Sequence, residues 1–282
     1  MPDQMTPLHR NITAFLLLVF TGFTASPETA WAAGVENPQS GYRYEAGYTQ
    51  QIHFFSRVYE TQYQGSWHLG LRHASGTYLF RLNRAHRFEQ TGWQWEFESY
   101  PVLTDRFYSY VSYAYSDAKI YPQHRAGIEF FSALPHRMEG SLGMRFFDFD
   151  NGNQTWIVTT SLGHYYGPFL FLVRPYFIFS NKRSGQTWTG SARWFLNDTG
   201  DYLMIRGALG RSSDEVLFQV GETAVKDFLL LRSSQAGAEG LYSVSRQLSV
   251  RASVDLYRQE LSFDPGSFVR NWTFRLGLET HF

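Results

Sequence analysis

Charged side chains recur at every second position in several segments of this chain, and they are the residues best suited to chemistry. Both signs are present, with arginine in excess. Opposite charges on one face can form ion pairs that fill and rigidify an interior, or they can line a polar passage that selects solutes by charge. We favour the first interpretation and keep the second open. The residues on this face are Arg81, Glu96, Glu98, Arg125, Glu129, Arg145, Arg174, Arg193, Arg206, Arg251, Asp255, Arg275 and Glu279.

Common catalytic motifs are missing from the sequence. There is no Gly-x-Ser-x-Gly elbow, no His-Glu-x-x-His helix and no phosphate-binding glycine loop. The nine histidines are scattered without metal spacing, and there is no cysteine. Ser161 and His164 could serve a hydrolase, but three positions apart on a strand they face opposite sides. We therefore expect no enzyme activity, no cofactor and no metal site.

The elements that position these residues are predicted to be β-strands, because apolar and polar residues alternate and successive strand side chains point to opposite faces. In the last segment, Trp272, Phe274 and Leu276 alternate with Thr273 and Arg275. There are about fourteen such segments of about ten residues, the length that a tilted membrane-spanning strand needs. The predicted spans are 41–50, 66–74, 77–86, 91–100, 106–116, 123–133, 138–148, 155–165, 169–180, 187–196, 202–211, 233–243, 247–258 and 271–282.

Two architectures fit this alternation. In a soluble sandwich the apolar face is the core, whereas in a membrane barrel it faces lipid and the polar face lines the lumen. Long strands, an aromatic content of 18% and tyrosines near strand ends favour the barrel. The predicted fold class is all-β, a transmembrane antiparallel up-and-down β-barrel of about 14 strands. Balanced charge, with 25 basic and 25 acidic residues, argues against a nucleic-acid partner.

Secretion is predicted from the N-terminus, which has the features of a cleaved signal peptide. Its apolar run at 14–23 is about ten residues long, too short for a bilayer that needs about twenty. Ala30 and Ala32 form a small-x-small cleavage site. A retained membrane anchor is the alternative. The expected parts are a signal peptide at 1–32, a short periplasmic lead at 33–40 and the barrel domain at 41–282.

Connections between the predicted strands alternate in length. Turn residues such as Gly167 and Pro168 mark short links, whereas 51–65, 212–232 and 259–270 are long. Because such barrels have short periplasmic turns and long outer loops, both termini are predicted to be periplasmic. Residues 212–232 are expected to form either a β-hairpin above the membrane or a loop folded into the lumen.

The C-terminal segment resembles the recognition signal of outer-membrane barrels, which ends in an aromatic residue. Arg275, Gly277, Thr280 and Phe282 carry this resemblance, although Thr280 stands where an apolar residue is usual. The resemblance implies outer-membrane location and insertion by the barrel-assembly machinery.

Most of the mature chain also resembles the YaiO family of outer-membrane β-barrels. The segments that carry the resemblance are Arg87-Phe88-x-Gln90-Thr91-Gly92-Trp93-Gln94, Tyr100-Pro101-x-Leu103-Thr104-Asp105-Arg106 and Ser161-Leu162-Gly163-His164-Tyr165-Tyr166-Gly167-Pro168. The resemblance implies location above all. It suggests a link to surface or exported polysaccharide.

Three functions follow as hypotheses. The first is a transport or export-associated barrel for a small polar or saccharide solute, with inward tyrosines available to stack on sugar rings. The second is a non-conducting structural or surface-interaction barrel that acts through its outer loops, and the third is a lipid-modifying enzyme. The expected partners are outer-membrane lipid and lipopolysaccharide, the assembly machinery and an exported polysaccharide.

Overall fold

The computed structural model describes residues 14–15 and 42–282, except 57–58, 150–151, 181–182, 221–222 and 262–263. For residues 14–15, 183 and 212–230 it describes the backbone alone. The predicted cleavage site at Ala30 and Ala32 and the predicted lead at 33–40 lie outside the described residues. No helix in the described part of the chain is long and apolar enough to cross a membrane.

The fold consists of one antiparallel sheet that closes on itself. A two-residue strand, β1 (Ala14–Phe15), pairs with β12. The barrel strands are β2 (Arg43–Phe55), β3 (Gln62–His73), β4 (Gly76–Arg87), β5 (Gln90–Pro101), β6 (Phe107–Tyr115), β7 (His124–Leu134), β8 (Met138–Asp148), β9 (Gln154–Tyr166), β10 (Phe169–Ser180), β11 (Arg183–Phe195), β12 (Tyr202–Val220), β13 (Thr223–Ser243), β14 (Leu248–Leu261) and β15 (Asp264–His281).

Closure joins the first barrel strand to the last. β2 pairs with β15 from Asn271↔Phe55 to His281↔Glu45. Every other barrel strand pairs with its neighbours in sequence, so that β2 to β15 form a fourteen-stranded up-and-down barrel. Each of the fourteen predicted strands corresponds to one of these strands, and the predicted fold class is confirmed.

Alternation separates the two faces of the barrel wall. Large apolar side chains point outward, and Leu142, Ile205 and Leu209 are each more than 60% exposed. Polar side chains on the same strands are buried inside. An exposed apolar surface of this extent is not found on soluble monomers, so the soluble sandwich alternative is wrong.

The connections correct the predicted pattern of link lengths. The links at the end that holds Tyr42 and Phe282, here called the terminal rim, are 74–75, 102–106, 135–137, 167–168, 196–201 and 244–247. Those at the opposite end, the distal rim, are 56–61, 88–89, 116–123, 149–153, 181–182, 221–222 and 262–263. The long links predicted at 51–65 and 259–270 are mostly strand. The backbone pairing continues through both segments, since β2 pairs with β3 as far as His53↔Gln62 and β14 pairs with β15 through Gln259↔Val269.

Residues 212–232 belong to a hairpin, one of the two predicted alternatives. β12 and β13 pair with each other as far as Val220↔Thr223. β12 pairs with β11 only up to Gly210, and β13 pairs with β14 only from Ser233. The hairpin therefore projects beyond the barrel by about ten residues per strand, roughly 30 Å at about 3.3 Å per residue.

The β4–β5 turn at the distal rim is conformationally strained. Phe88 and Glu89 have φ of 51° and 60°. A two-residue hairpin turn of type I′ requires positive φ at both positions, which residues other than Gly, Asn and Asp rarely adopt. The left-handed conformation costs about 1–2 kcal/mol per residue. The Phe88 ring packs against two buried apolar clusters, and this packing offsets the strain.

Candidate functional site

All of the charged residues predicted to share one face lie on the inward face of the barrel. None is more than 21% exposed. They form two networks: the first network is built on β4, β5, β7, β8 and β10, and the second on β11 to β15. The residues placed there are Arg81, Glu96, Glu98, Arg125, Glu129, Arg145, Arg174, Arg193, Arg206, Arg251, Asp255, Arg275 and Glu279.

Two glutamates of β5 anchor one half of the first network. Arg81 Nη1 lies 2.7 Å from Glu98 Oε1. The hydroxyls of Tyr100 and Tyr110 donate to the same carboxylate at 3.2 and 3.3 Å. Two positions away, Glu96 pairs with Arg125. Both carboxylates therefore lie inside the barrel with at least one arginine beside them.

The other half of the first network converges on Glu129, which is fully buried. Arg174 Nη1 lies 2.6 Å from one carboxylate oxygen and Arg145 Nη2 lies 3.1 Å from the other. The Ser141 hydroxyl donates to Glu129 Oε1 at 2.6 Å. The Arg145 guanidinium also lies over the ring of Tyr110, 5.3 Å from its centre, and this contact joins the two halves.

The second network centres on Glu239, which the sequence analysis did not select. Arg206 donates twice to Asp255, at 2.8 and 2.6 Å, and once to Glu239 at 2.8 Å. Arg251 lies between Glu239 and Glu279, with 3.3 Å to each carboxylate. The two hydrogen bonds from Arg206 to Asp255 form a bidentate pair, which is one of the strong forms of ion pair in proteins.

Two arginines at the edge of the second network have weaker or different contacts. Arg275 Nη1 lies 3.8 Å from Glu239 Oε2, and its Nε donates to Gln51 at 3.1 Å. The Arg193 guanidinium lies over the ring of Tyr202, 4.1 Å from its centre. The Tyr202 hydroxyl in turn donates to Glu239 at 2.6 Å.

The ion pairs of both networks follow the wall of the barrel. Each joins strands that are at most three positions apart in the closed sheet, and the widest span is Arg174 on β10 to Glu129 on β7. The guanidinium groups are thus held against the wall by their neighbours. Removing one partner of a buried pair costs about 3–5 kcal/mol because it leaves the other charge uncompensated.

The inward tyrosines noted in the sequence are buried between strands. Tyr108 stacks on Phe131 with ring centres 4.5 Å apart, in an apolar cluster at the terminal rim. Tyr110 belongs to the same cluster, and Tyr257 belongs to another at the distal rim. Tyr176 is also buried. All four side chains are less than 10% exposed.

A group of polar side chains near the distal rim was not identified from the sequence. His53 is fully buried and contacts Gln51 at 2.7 Å and Thr273 at 2.8 Å. Gln62 and Arg87 lie beside it on β3 and β4. Period two extends through 50–55 and 62–65, and this signal could have identified the inward Gln51, His53, Gln62 and Gln64.

The link 116–123 folds inward over the distal end of β4. Ile120 and Tyr121 are buried with Ala85, and Phe88 packs against them. The contact requires a glycine at position 92, because a Cβ there would lie 2.5 Å from Ala118 Cβ. Burial raises the pKa of the Tyr121 phenol to about 12, so the ring is uncharged at neutral pH.

Asp201 fixes the terminal rim between β11 and β13. Its carboxylate accepts from Asn197 Nδ2 and from the Ser243 N–H, both at 2.8 Å. Burial alone would raise its pKa, but the hydrogen bonds from Asn197 and Ser243 outweigh this effect and hold the pKa below the ordinary value. The carboxylate is therefore ionised at neutral pH.

The proposed assembly signal lies along the β15–β2 seam. Arg275 is buried, and a Cβ at Gly277 would lie 2.9 Å from Thr49 Oγ1. Thr280 Oγ1 donates to the Ala46 carbonyl at 3.1 Å, and the Phe282 ring is 74% exposed. Recognition by the assembly machinery stays a prediction.

The structure does not bring Ser161 and His164 together. Ser161 is buried and lies 2.5 Å from the Ser141 hydroxyl, whereas His164 is on the exposed face of β9. Among the described residues, no group of three His, Cys, Asp or Glu side chains could hold a metal ion.

A comparison of the sequence with known protein families agrees with the fold and with the outward apolar face. Residues 43–215, more than half of the chain, match the model of the YaiO membrane beta barrel domain. The chain belongs to this YaiO family. It is an outer-membrane β-barrel. Among curated proteins, none matches this YaiO-family chain in sequence.

Solved structures are similar to the YaiO-family barrel in fold. A bacterial polysaccharide outer membrane secretin superposes with a TM-score of 0.51 at 9% identity, covering 87% of this chain and 100% of that chain. A loop-deleted form of OmpT, an outer membrane protein of Vibrio cholerae, has a TM-score of 0.45 at 7% identity, with 86% and 99% covered. The anion-selective porin from Comamonas acidovorans has a TM-score of 0.45 at 8% identity, with 86% and 99% covered.

Proposed function

We propose that this YaiO-family barrel is a transport or export-associated protein that passes a small polar or saccharide solute across the outer membrane. The observation that carries the proposal is the lateral arrangement of the ion pairs. Arginines and carboxylates inside the barrel pair with near neighbours along the wall, as in Arg206–Asp255 and Arg145–Glu129. Charged side chains that line a lumen can select solutes by charge.

The saccharide part of the proposal depends on the kinds of side chain in the interior. Tyrosine hydroxyls, serines and amides alternate with the charged groups, as Tyr202, Ser253 and Gln235 do in the second network. Such groups both donate and accept hydrogen bonds, as sugar hydroxyls do. The terminal rim faces the periplasm in this proposal, and the projecting β12–β13 hairpin faces the exterior.

Planar-bilayer conductance of the refolded mature chain tests the proposal. We expect stable ohmic steps. Arg125→Ala leaves Glu96 without its arginine and Arg145→Ala removes one of the two arginines on Glu129. Both variants make the lumen more negative, so the reversal potential in a salt gradient should shift toward cation selectivity.

Arg84→Ala is the matched control, because Arg84 is exposed and lies over the Trp93 ring on the outer face. Its currents should equal those of the wild type. Unchanged conductance and selectivity in both lumen variants would count against a transport role for this lining.

A second candidate function is a non-conducting structural or surface-interaction barrel. Phe88 at the distal rim packs both against Ile120 and Tyr121 and against the cluster of Tyr257, Leu261 and Val269, and these contacts favour it. A folded wild type without currents would support this candidate. Deleting 212–231 and joining Arg211 to Arg232 through Asn-Gly should then keep the fold, because these two residues are register partners. Loss of lipopolysaccharide binding is the expected result, whereas new currents would identify the hairpin as a plug.

A further inference from the structure

Three inward side chains lie next to one another across β2, β3 and β4 near the distal rim. His53 and Gln62 are register partners. β3 and β4 are antiparallel, and Tyr63 pairs with His86. The next position along the two strands therefore places Gln62 opposite Arg87. Directly opposed side chains have Cβ atoms about 4.5–5.5 Å apart. We call His53, Gln62 and Arg87 the distal row.

Unlike Arg81, Arg125, Arg145, Arg174, Arg206, Arg251 and Arg275, Arg87 forms no ion pair with a carboxylate of the described residues. It is 6% exposed, its Nη2 donates to Gln64 Oε1 at 2.6 Å, and its Nε has no partner within the described part of the chain. The ring beside it, 5.9 Å away, is the uncharged phenol of Tyr121. A buried guanidinium without a counter-charge is unfavourable, and an anion from outside the chain would compensate it.

The neighbours of Arg87 carry unused hydrogen-bonding groups of both kinds. Gln62 Nε2 and Oε1 are buried, and neither has a hydrogen-bond partner among the residues described. Asn271 donates to His53 at 3.4 Å, but its Oδ1 has no partner within that same set. An ionised carboxylate oxygen only accepts, so it cannot satisfy Gln62 Oε1 or Asn271 Oδ1. A hydroxyl both donates and accepts.

We propose that the distal row is a binding subsite for a sugar acid, whose carboxylate pairs with Arg87 and whose hydroxyls bond to the Gln62 and Asn271 amides. The subsite rests on the proposed function and gives its solute a chemical class. A uronic acid carries a carboxylate and several hydroxyls on one ring, so it presents both kinds of group. The Tyr121 ring beside the guanidinium offers an apolar face to the sugar.

Isothermal titration of the folded full-length barrel in detergent tests the subsite. The probes are glucuronate, glucose, acetate and inorganic phosphate at equal ionic strength, since salt screens the charge on Arg87. We expect glucuronate to bind more tightly than the other three. Arg87→Gln should raise the Kd for glucuronate at least about tenfold, because charged hydrogen bonds are worth about 1.5–3 kcal/mol. Gln62→Leu should weaken glucuronate but not acetate.

Arg84→Gln is the matched control, since it removes an outward arginine of the same strand. Its glucuronate affinity should equal that of the wild type. Arg87→Gln should also fold with undiminished stability in urea, because it removes an uncompensated buried charge. A lower stability would identify Arg87 as a structural group and overturn the proposal.

The two proposals fail differently. A barrel that conducts but does not bind glucuronate, or that binds acetate or phosphate equally well, overturns the sugar-acid subsite and leaves transport intact. A barrel that binds glucuronate through Arg87 but never conducts supports the subsite and overturns transport.

Discussion

Replacing Glu129 with glutamine tests whether the first network is dry. Glu129 is fully buried and accepts from Arg174 at 2.6 Å, Arg145 at 3.1 Å and Ser141 at 2.6 Å. Glutamine keeps the shape but removes the charge that compensates two guanidinium groups. Breaking a buried pair in this way costs about 3–5 kcal/mol, whereas the same loss in a solvated lumen costs less than about 1 kcal/mol.

Urea unfolding of the barrel in phospholipid vesicles, followed by tryptophan fluorescence, measures this difference. Glu89→Gln is the control, because Glu89 is an exposed carboxylate in the β4–β5 turn and its loss should change stability by less than about 0.5 kcal/mol. If Glu129→Gln lost no more stability than Glu89→Gln, water would reach the network. The assignment of a buried, structurally required ion pair would then be wrong.

A variant without the charges separates electrostatics from packing. Glu129→Leu combined with Arg145→Met and Arg174→Met removes the carboxylate and both guanidinium groups together. Apolar replacement of a whole buried network is often neutral or stabilising, so this triple variant should be more stable than Glu129→Gln alone. If the triple variant were less stable than Glu129→Gln, the packing of these side chains, rather than charge compensation, would determine the loss of stability.

Three further predictions concern the two rims. Phe88→Asn keeps a residue that tolerates the turn but removes the ring from the distal clusters, so single-channel conductance should rise; an unchanged current would show that these clusters do not obstruct the mouth. Gly92→Val should push the link 116–123 away and speed tryptic cleavage after the exposed Lys119, and a wild-type cleavage rate would contradict the close approach. Since the pKa of Asp201 is depressed on folding, its contribution to stability is complete above its ordinary value of about 3.8 and is lost as pH falls below it. The protection factor of the Ser243 amide, which is its exchange rate relative to that of an unstructured peptide, should fall in that acid range in the wild type, and Asp201→Asn should remove this pH dependence of the protection factor.

The strands could be predicted because their signal is local. Trp272 to Thr280 alternates between lipid-facing and lumen-facing environments over a few residues, and no knowledge of the partner strand is needed. The same alternation placed Arg81, Glu129 and Arg275 on the inward face. Glu239 was missed because its strand has Ala236, Ala238 and Gly240 at outward positions, and small residues give little contrast with polar ones.

Link lengths could not be predicted with the same success. Polar residues inside a strand and polar residues in a loop look alike in composition, so the inward amides of 50–55 and 62–65 were interpreted as loop. Only the pairing with neighbouring strands shows that they belong to the wall. Arg87 is part of the segment that resembles the YaiO family, but its surroundings could not be predicted. They are formed by residues of other strands and links, and the sequence does not show whether one of these residues carries a negative charge.

By itself, the sequence determined the number of strands, the face on which each side chain lies and the membrane as solvent, because each of these depends on residues adjacent in the chain. Only the tertiary structure decided which charges meet. Arg174 reaches Glu129 across 45 residues and three strands, and Arg206 reaches Asp255 across 49. These contacts depend on closure and register, which set the distances between distant strands and leave Arg87 without a counter-charge among the described residues.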